Sequence, residues 1–200
     1  MKRALILTDI QYDFVPGGAL AISKGDEIVP VANRLIPEYD LIIATQDWHP
    51  ADHKSFASQH PGKKIGDVIK LGGLKQSLWP DHCVQGTHGA ELVEGLDKKR
   101  IDKVIHKGTD QEIDSYSTFF DNEHRKSTGL GEFLKDRHID EVHIMGLATD
   151  YCVKYSVLDS LRLGFNTFVI LEGCRGININ PDDCERAINE MKEAGAIIIT

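Results

Sequence analysis

No stretch of this chain approaches the eighteen or so consecutive apolar residues that a membrane span requires. Met1, Lys2 and Arg3 run directly into a strand-like segment, without the small-residue cleavage site of a signal peptide. Together these absences predict a cytoplasmic protein with no membrane partner. Basic character is missing as well: the net charge is −8 at pH 7, and without a cationic face to release counterions the chain is not expected to bind nucleic acid. A small-molecule ligand fits better. No G-x-G-x-x-G turn follows the first predicted strand, where Gln11-Tyr12-Asp13-Phe14 stands instead, so the phosphate cradle of a dinucleotide-binding oxidoreductase is lacking. There is no internal repeat, low-complexity tract or interdomain linker, and one domain over residues 1–200 is the expectation. Cysteine is sparse. Cys83, Cys152, Cys174 and Cys184 do not read as a disulfide framework in a cytosolic chain of this size, so each is core filler, a metal ligand or a nucleophile.

What is present is a chain 41% hydrophobic and 27% charged, ordinary values for a globular α/β protein. Runs rich in Val, Ile and Leu read as buried parallel strands over residues 4–8, 41–45, 103–106, 142–145, 167–171 and 196–199. Helices are predicted between most of them, over about 26–36, after Ser127 through Leu134, over about 151–163 and over 181–194. The last has Asn180 as its expected N-cap, Pro181 in the first turn, and Cys184, Ala187, Ile188 and Met191 along one stripe. This alternation predicts right-handed βαβ crossovers and an α/β fold of three layers, a six-stranded parallel sheet with helices on both faces. Ligands then bind beyond the carboxyl ends of the strands. Residues 48–101 break the alternation, and so long a loop-like segment in a compact domain is usually functional or disordered.

Three polar residues fall where such a fold places a site. Asp9 ends the first strand, Lys107 ends the third, and Cys152 opens the helix after the fourth. A thiol at a helix N-terminus beside an ammonium has a lowered pKa, so a thiolate becomes accessible near neutral pH. Asp9 is placed to take the thiol proton and later deliver it to a leaving amine. The run from Gly146 to Cys152 can aim free backbone N–H groups at an oxyanion. A lone cysteine is more often buried filler; the strand-end partners are what favour a nucleophile here. A second cluster, Asp47, His49 and His53 with His82 farther on, combines a carboxylate with imidazoles and suits zinc, iron or manganese. A D-x-H triplet alone is modest support, sharpened by His49, His53, His60 and His82 all lying in this loop. Phe14, Trp48 and Trp79 lie near these segments and suit either a wall for a flat heteroaromatic ligand or core packing. Cys83 is read as packing or support beside His82, and Cys174 and Cys184 as packing.

At this point the sequence closely resembles the nicotinamidase/pyrazinamidase family of isochorismatase-like cysteine hydrolases. The resemblance runs nearly end to end. It is carried by Asp9-Ile10-Gln11-Tyr12-Asp13-Phe14, by Asp47 to His53, by Trp79-Pro80-Asp81-His82-Cys83-Val84-Gln85-Gly86-Thr87, by His106-Lys107-Gly108-Thr109, by Asp114 to Phe120 and by Gly146 to Val153. It implies a catalytic triad of Asp9, Lys107 and Cys152. It also implies one divalent metal ion, zinc in the first place with iron or manganese as alternatives, held by Asp47, His49 and His82. His53 matches a fourth metal contact that varies in the family. The resemblance further implies a cis peptide between Leu147 and Ala148, an oxyanion hole from the N–H groups of Ala148 and Cys152, a ring sandwich of Phe14 and Trp79, and Tyr116 at the pocket border. The implied reaction is hydrolysis of nicotinamide to nicotinate and ammonia in NAD salvage, with pyrazinamide as a second substrate. A homo-oligomer is compatible with all of this. Two alternatives stay open on the residues alone: a hydrolase of the same fold acting on an N-carbamoyl compound or another aromatic amide, and a non-catalytic zinc-storing or redox protein.

Overall fold

The structure, a computed structural model, describes residues Met1–Thr200. All six predicted strands are present and form one parallel sheet. They are β1 (Lys2–Thr8), β2 (Leu41–Asp47), β5 (Lys103–Lys107), β6 (Ile139–Leu147), β7 (Asn166–Arg175) and β8 (Ile197–Ile199), in the order β5-β2-β1-β6-β7-β8. Both faces of the central strands are covered, which explains their composition. Ala4 to Leu7 of β1 have no exposed surface, and β2 is buried along its whole length. Each fully buried Leu or Ile contributes about 1.5–3 kcal/mol, so this core carries the stability against which the charged site described below is set.

Strands β6 and β7 run nine and ten residues, well beyond the predicted segments. Polar residues hid their length. His143 interrupts the apolar run of β6 yet is buried, stacked on Phe168 at 4.3 Å. The helices are α1 (Ile28–Leu35), α2 (Leu130–Asp136), α3 (Lys154–Arg162) and α4 (Asp183–Glu193). The start of α4 differs from expectation. Asn180 does not cap it: its backbone N–H donates to Asp183 at 2.7 Å, and the side chain of Asn178 accepts the Cys184 N–H at 3.0 Å. The helix begins two residues later than Pro181 suggests, and Asn178, at φ 50°, supplies the acceptor.

The irregular region after β2 contains an antiparallel hairpin, β3 (Val68–Leu71) and β4 (Leu74–Ser77). It joins through Gly72 and Gly73, a two-residue glycine turn between apolar-polar runs that was readable in the sequence. From the central β1 the chain builds outward through β2 and β5 on one side, then returns to place β6 on the other. The switch point therefore lies between β1 and β6, the crevice where sheets of this kind bind ligands.

Candidate active site

Four strand ends meet at that crevice. Gly146 makes the approach of β1 and β6 possible. It is paired with Thr8 at φ 133°, and a Cβ there would lie 2.1 Å from the Thr8 carbonyl oxygen. The next residue after β1, Asp9, is fully buried and also has positive φ. Its carboxylate accepts from Thr45 Oγ1 at 2.6 Å and pairs with Lys107 Nζ at 2.9 Å. The Lys107 ammonium, at the end of β5, pairs as well with Asp47, donates to the Ser115 carbonyl at 2.9 Å, and stands 3.4 Å from Cys152 Sγ. Cys152 lies in a π-helical turn, Thr149–Val153, that leads into α3, a widened geometry recurrent at functional sites. The Asp150 carboxylate anchors this turn by accepting the N–H groups of Ile177 and Asn178 at 2.9 and 2.8 Å. The Leu147–Ala148 peptide bond is cis.

Burial dominates the electrostatics. It pushes the Asp9 carboxyl up to about 6, with Lys107 opposing. Burial acts on Lys107 in the other direction, but Asp47 and Asp9 overrule it and hold the ammonium charged. The Cys152 thiol is raised well above its ordinary value by burial, with Lys107 again opposing. Burial thus opposes the lowering that Lys107 and the helix end exert on this thiol. One ammonium faces two carboxylates, and the surplus negative charge together with desolvation outweighs the helix end. The sulfur lies beside the Asp9 carboxylate, which is placed to take its proton.

The second cluster shares a residue with the first. Asp47 turns one oxygen to Lys107 and the other to His49 Nε2 at 3.6 Å and His82 Nε2 at 3.8 Å. Ligating atoms of Asp47, His49 and His82 all lie within 4.8 Å of one another, and all three residues are buried. Each imidazole is oriented through its other nitrogen, Nδ1 of His49 toward the Gly108 carbonyl and Nδ1 of His82 toward the Pro80 carbonyl, both at 2.8 Å. Both Nε2 lone pairs are thereby left facing Asp47, the arrangement in which histidine ligates a metal. His49 Nε2 is buried with no hydrogen-bond partner. Despite burial, Asp47 raises the His49 pKa, whereas burial and His49 lower that of His82 to about 4. A buried, unpartnered nitrogen at a spot that attracts positive charge fits a divalent cation. Gly108 is required beneath it, since a Cβ there would sit 2.4 Å from the His49 ring.

His53 is not drawn into this trio. Its Nδ1 lies 2.7 Å from Ser55 Oγ and its Nε2 3.4 Å from the Ile113 carbonyl, and it groups instead with His49 and Asp114. A pocket joins the two clusters, bounded by Phe14, Asp47, Trp79, His82, Tyr116, Ala148 and Cys152. Trp79 meets Tyr151 edge to face at 5.0 Å, and Phe14 meets His82 similarly at 5.6 Å. Trp48 is elsewhere, stacked on His106 at 4.5 Å. All four cysteines are free, and burial raises the Cys83 thiol also. Cys83 contributes its backbone, accepting the His49 N–H at 3.0 Å.

Sequence reasoning assigned no role to Gln11, Asp114, Tyr151 or Ile177. Gln11 is fully buried and clamps the backbone of Asp47 in both directions, accepting its N–H and donating to its carbonyl at 2.9 Å. Asp114, Tyr151 and Ile177 line the pocket. Gln11, Asp114 and Tyr151 stand inside the motifs that carry the resemblance, and that placement was the one signal available.

The isochorismatase domain model matches residues 3–200. A nicotinamidase of Escherichia coli strain K12 is 54% identical, over 99% of this chain and 94% of that protein. The solved nicotinamidase pyrazinamidase of Acinetobacter baumanii superposes with a TM-score of 0.97 at 43% identity, covering 100% of this chain and 96% of that one. A pyrazinamidase of Pyrococcus horikoshii, solved in complex with zinc, superposes at 0.80 with 37% identity, over 100% of this chain and 99% of its own.

Proposed function

The chain belongs to the isochorismatase family, and we propose from that membership and from its pocket that it hydrolyses nicotinamide to nicotinate and ammonia. It is a hydrolase of amide bonds. The observation that carries the reading is the shared pocket: a sulfur held between a carboxylate and an ammonium opens on the same cavity as the Asp47, His49 and His82 group.

In this reading Phe14 and Trp79 hold the pyridine ring, Tyr116 closes the border, and the carboxamide carbon is presented to Cys152. Such positioning accounts for much of the acceleration. Asp9 accepts the thiol proton as sulfur attacks, and Lys107 balances the charge. The N–H groups of Ala148 and Cys152 receive the oxyanion. Asp9 then returns the proton to the leaving nitrogen, ammonia departs, and a thioester at Cys152 remains. Asp9 next draws a proton from water, whose oxygen attacks the thioester, and the freed sulfur regains its proton. Asp47, His49 and His82 would hold a divalent ion, which we read as zinc with iron or manganese as alternatives; His53 is assigned a supporting place beside His49. The chemistry such an ion supplies is a Lewis-acid coordination position for the ring nitrogen of the substrate. Pyrazinamide carries the same ring nitrogen and amide and is a second substrate, as the relative from Acinetobacter suggests. No helix is long and apolar enough to cross a membrane, and we assign the protein to the cytoplasm, in NAD salvage.

The deciding assay is nicotinate formation from nicotinamide by the purified protein, with and without chelation. Turnover that is lost on chelation and restored by metal is expected. Ammonia release from N-carbamoyl compounds but none from nicotinamide would overturn the assignment.

A further inference from the structure

Gln76 is the one buried residue of the β3–β4 hairpin, 4% exposed on a hairpin whose other side chains are partly or fully exposed. A primary amide withdrawn from water is costly unless its hydrogen bonds are replaced. Gln76 Nε2 replaces them inward, donating toward the Ser77 carbonyl at 2.8 Å, Tyr116 Oη at 3.1 Å and Asp114 Oδ2 at 3.2 Å. The same phenol oxygen accepts Trp79 Nε1 at 3.2 Å. Tyr116 and Trp79 both face the pocket, whereas Gln76 stands behind them. Tyr151 meets Tyr116 at 5.4 Å and Trp79 at 5.0 Å in edge contacts, and Tyr116 also stacks on Tyr155 at 5.4 Å. Edge contacts between rings tolerate a range of tilts, while a phenol held by two donors does not.

We propose that Gln76 is a positioning residue for substrate binding: by holding the Tyr116 phenol it fixes Tyr116 and, through the shared oxygen, the indole of Trp79 where both face the pocket. The inference rests on the amidase reading above.

Gln76→Met keeps the length and apolar bulk of the side chain and removes both donors. Loss of these bonds is expected to raise KM for nicotinamide roughly tenfold while kcat stays within about threefold. In a Trp48→Phe background Trp79 is the sole tryptophan of the chain, and its emission should shift on Gln76→Met. Tyr116→Phe removes the shared acceptor and should reproduce the raised KM and the shifted emission, which keeps the test decisive if Gln76→Met does not fold. Unchanged KM and emission in the folded variants, or a loss of kcat alone, would overturn the assignment. Failure of the wild-type protein to release ammonia from nicotinamide would instead sink the amidase reading itself.

Discussion

At Cys152 the order of proton and bond movements follows from burial. Because the thiol is raised and Asp9 sits near 6, the reactive state at neutral pH pairs a protonated sulfur with an ionised carboxylate. Asp9 must be charged to act, so kcat/KM is expected to fall below pH 6, by about tenfold per unit, whereas an unperturbed aspartate would hold activity to below pH 4. A pH–rate profile measured with metal kept saturating checks this. The same shift makes ionised Asp9 a destabilising group: a carboxyl with a raised folded-state pKa contributes less to stability as pH rises from 3.8 through about 6. Cys152→Ala should lower kcat by about 10⁴-fold or more while leaving nicotinamide binding measurable by calorimetry; substantial residual turnover would remove the nucleophile. Identity and grouping of Asp9, Lys107, Cys152, Asp47, His49 and His82 were legible because each stands at a strand end or in a motif. Their protonation states were not, since desolvation depends on what the whole fold packs around them. Gln11 and Gln76 were hidden for a related reason: nothing in a glutamine's neighbours along the chain tells whether its amide faces water or a backbone.

Among the elements, the junction of β1 and β6 governs the site. Gly146→Ala places a methyl group against the Thr8 backbone at a φ that L-residues avoid. It is expected to cost roughly 2–4 kcal/mol of stability and to reduce activity by spreading Asp9 away from Cys152; denaturant melts and kcat/KM measured together would show whether the two losses coincide. Strand existence and order of appearance were readable because doubly covered strands are continuous apolar runs. Strand length was not, as His143 illustrates: a polar residue buried by stacking looks like a strand end. The β3–β4 hairpin was missed because His, Pro and Gly around it mark loop, although Gly72-Gly73 between Leu71 and Leu74 carried the turn. The π turn at Thr149–Val153 has no sequence signature distinct from an ordinary helix start.

For the molecule as a whole, the charged cluster is a burden that the apolar core sustains, since buried ions cost several kcal/mol each unless fully compensated. A bound cation completes that compensation. With the ion at about a hundred times its dissociation constant, the folded state gains about 2.7 kcal/mol, so chelation should lower the melting temperature, and added zinc should restore it. His49→Ala should abolish this response and lose the ion, as elemental analysis would reveal. Protons compete with metal for His49, whose pKa is raised. Affinity should therefore weaken on acidification starting above the ordinary histidine value of 6.5, a dependence that titration with a competing chelator would measure.

Asp47 gives one oxygen to each centre, and this residue is therefore no independent handle on either. An engineer seeking an ion-free variant cannot begin by deleting that carboxylate, because the ammonium beside the sulfur would lose its counterweight at the same stroke. The replacement anion for Lys107 has to be installed first.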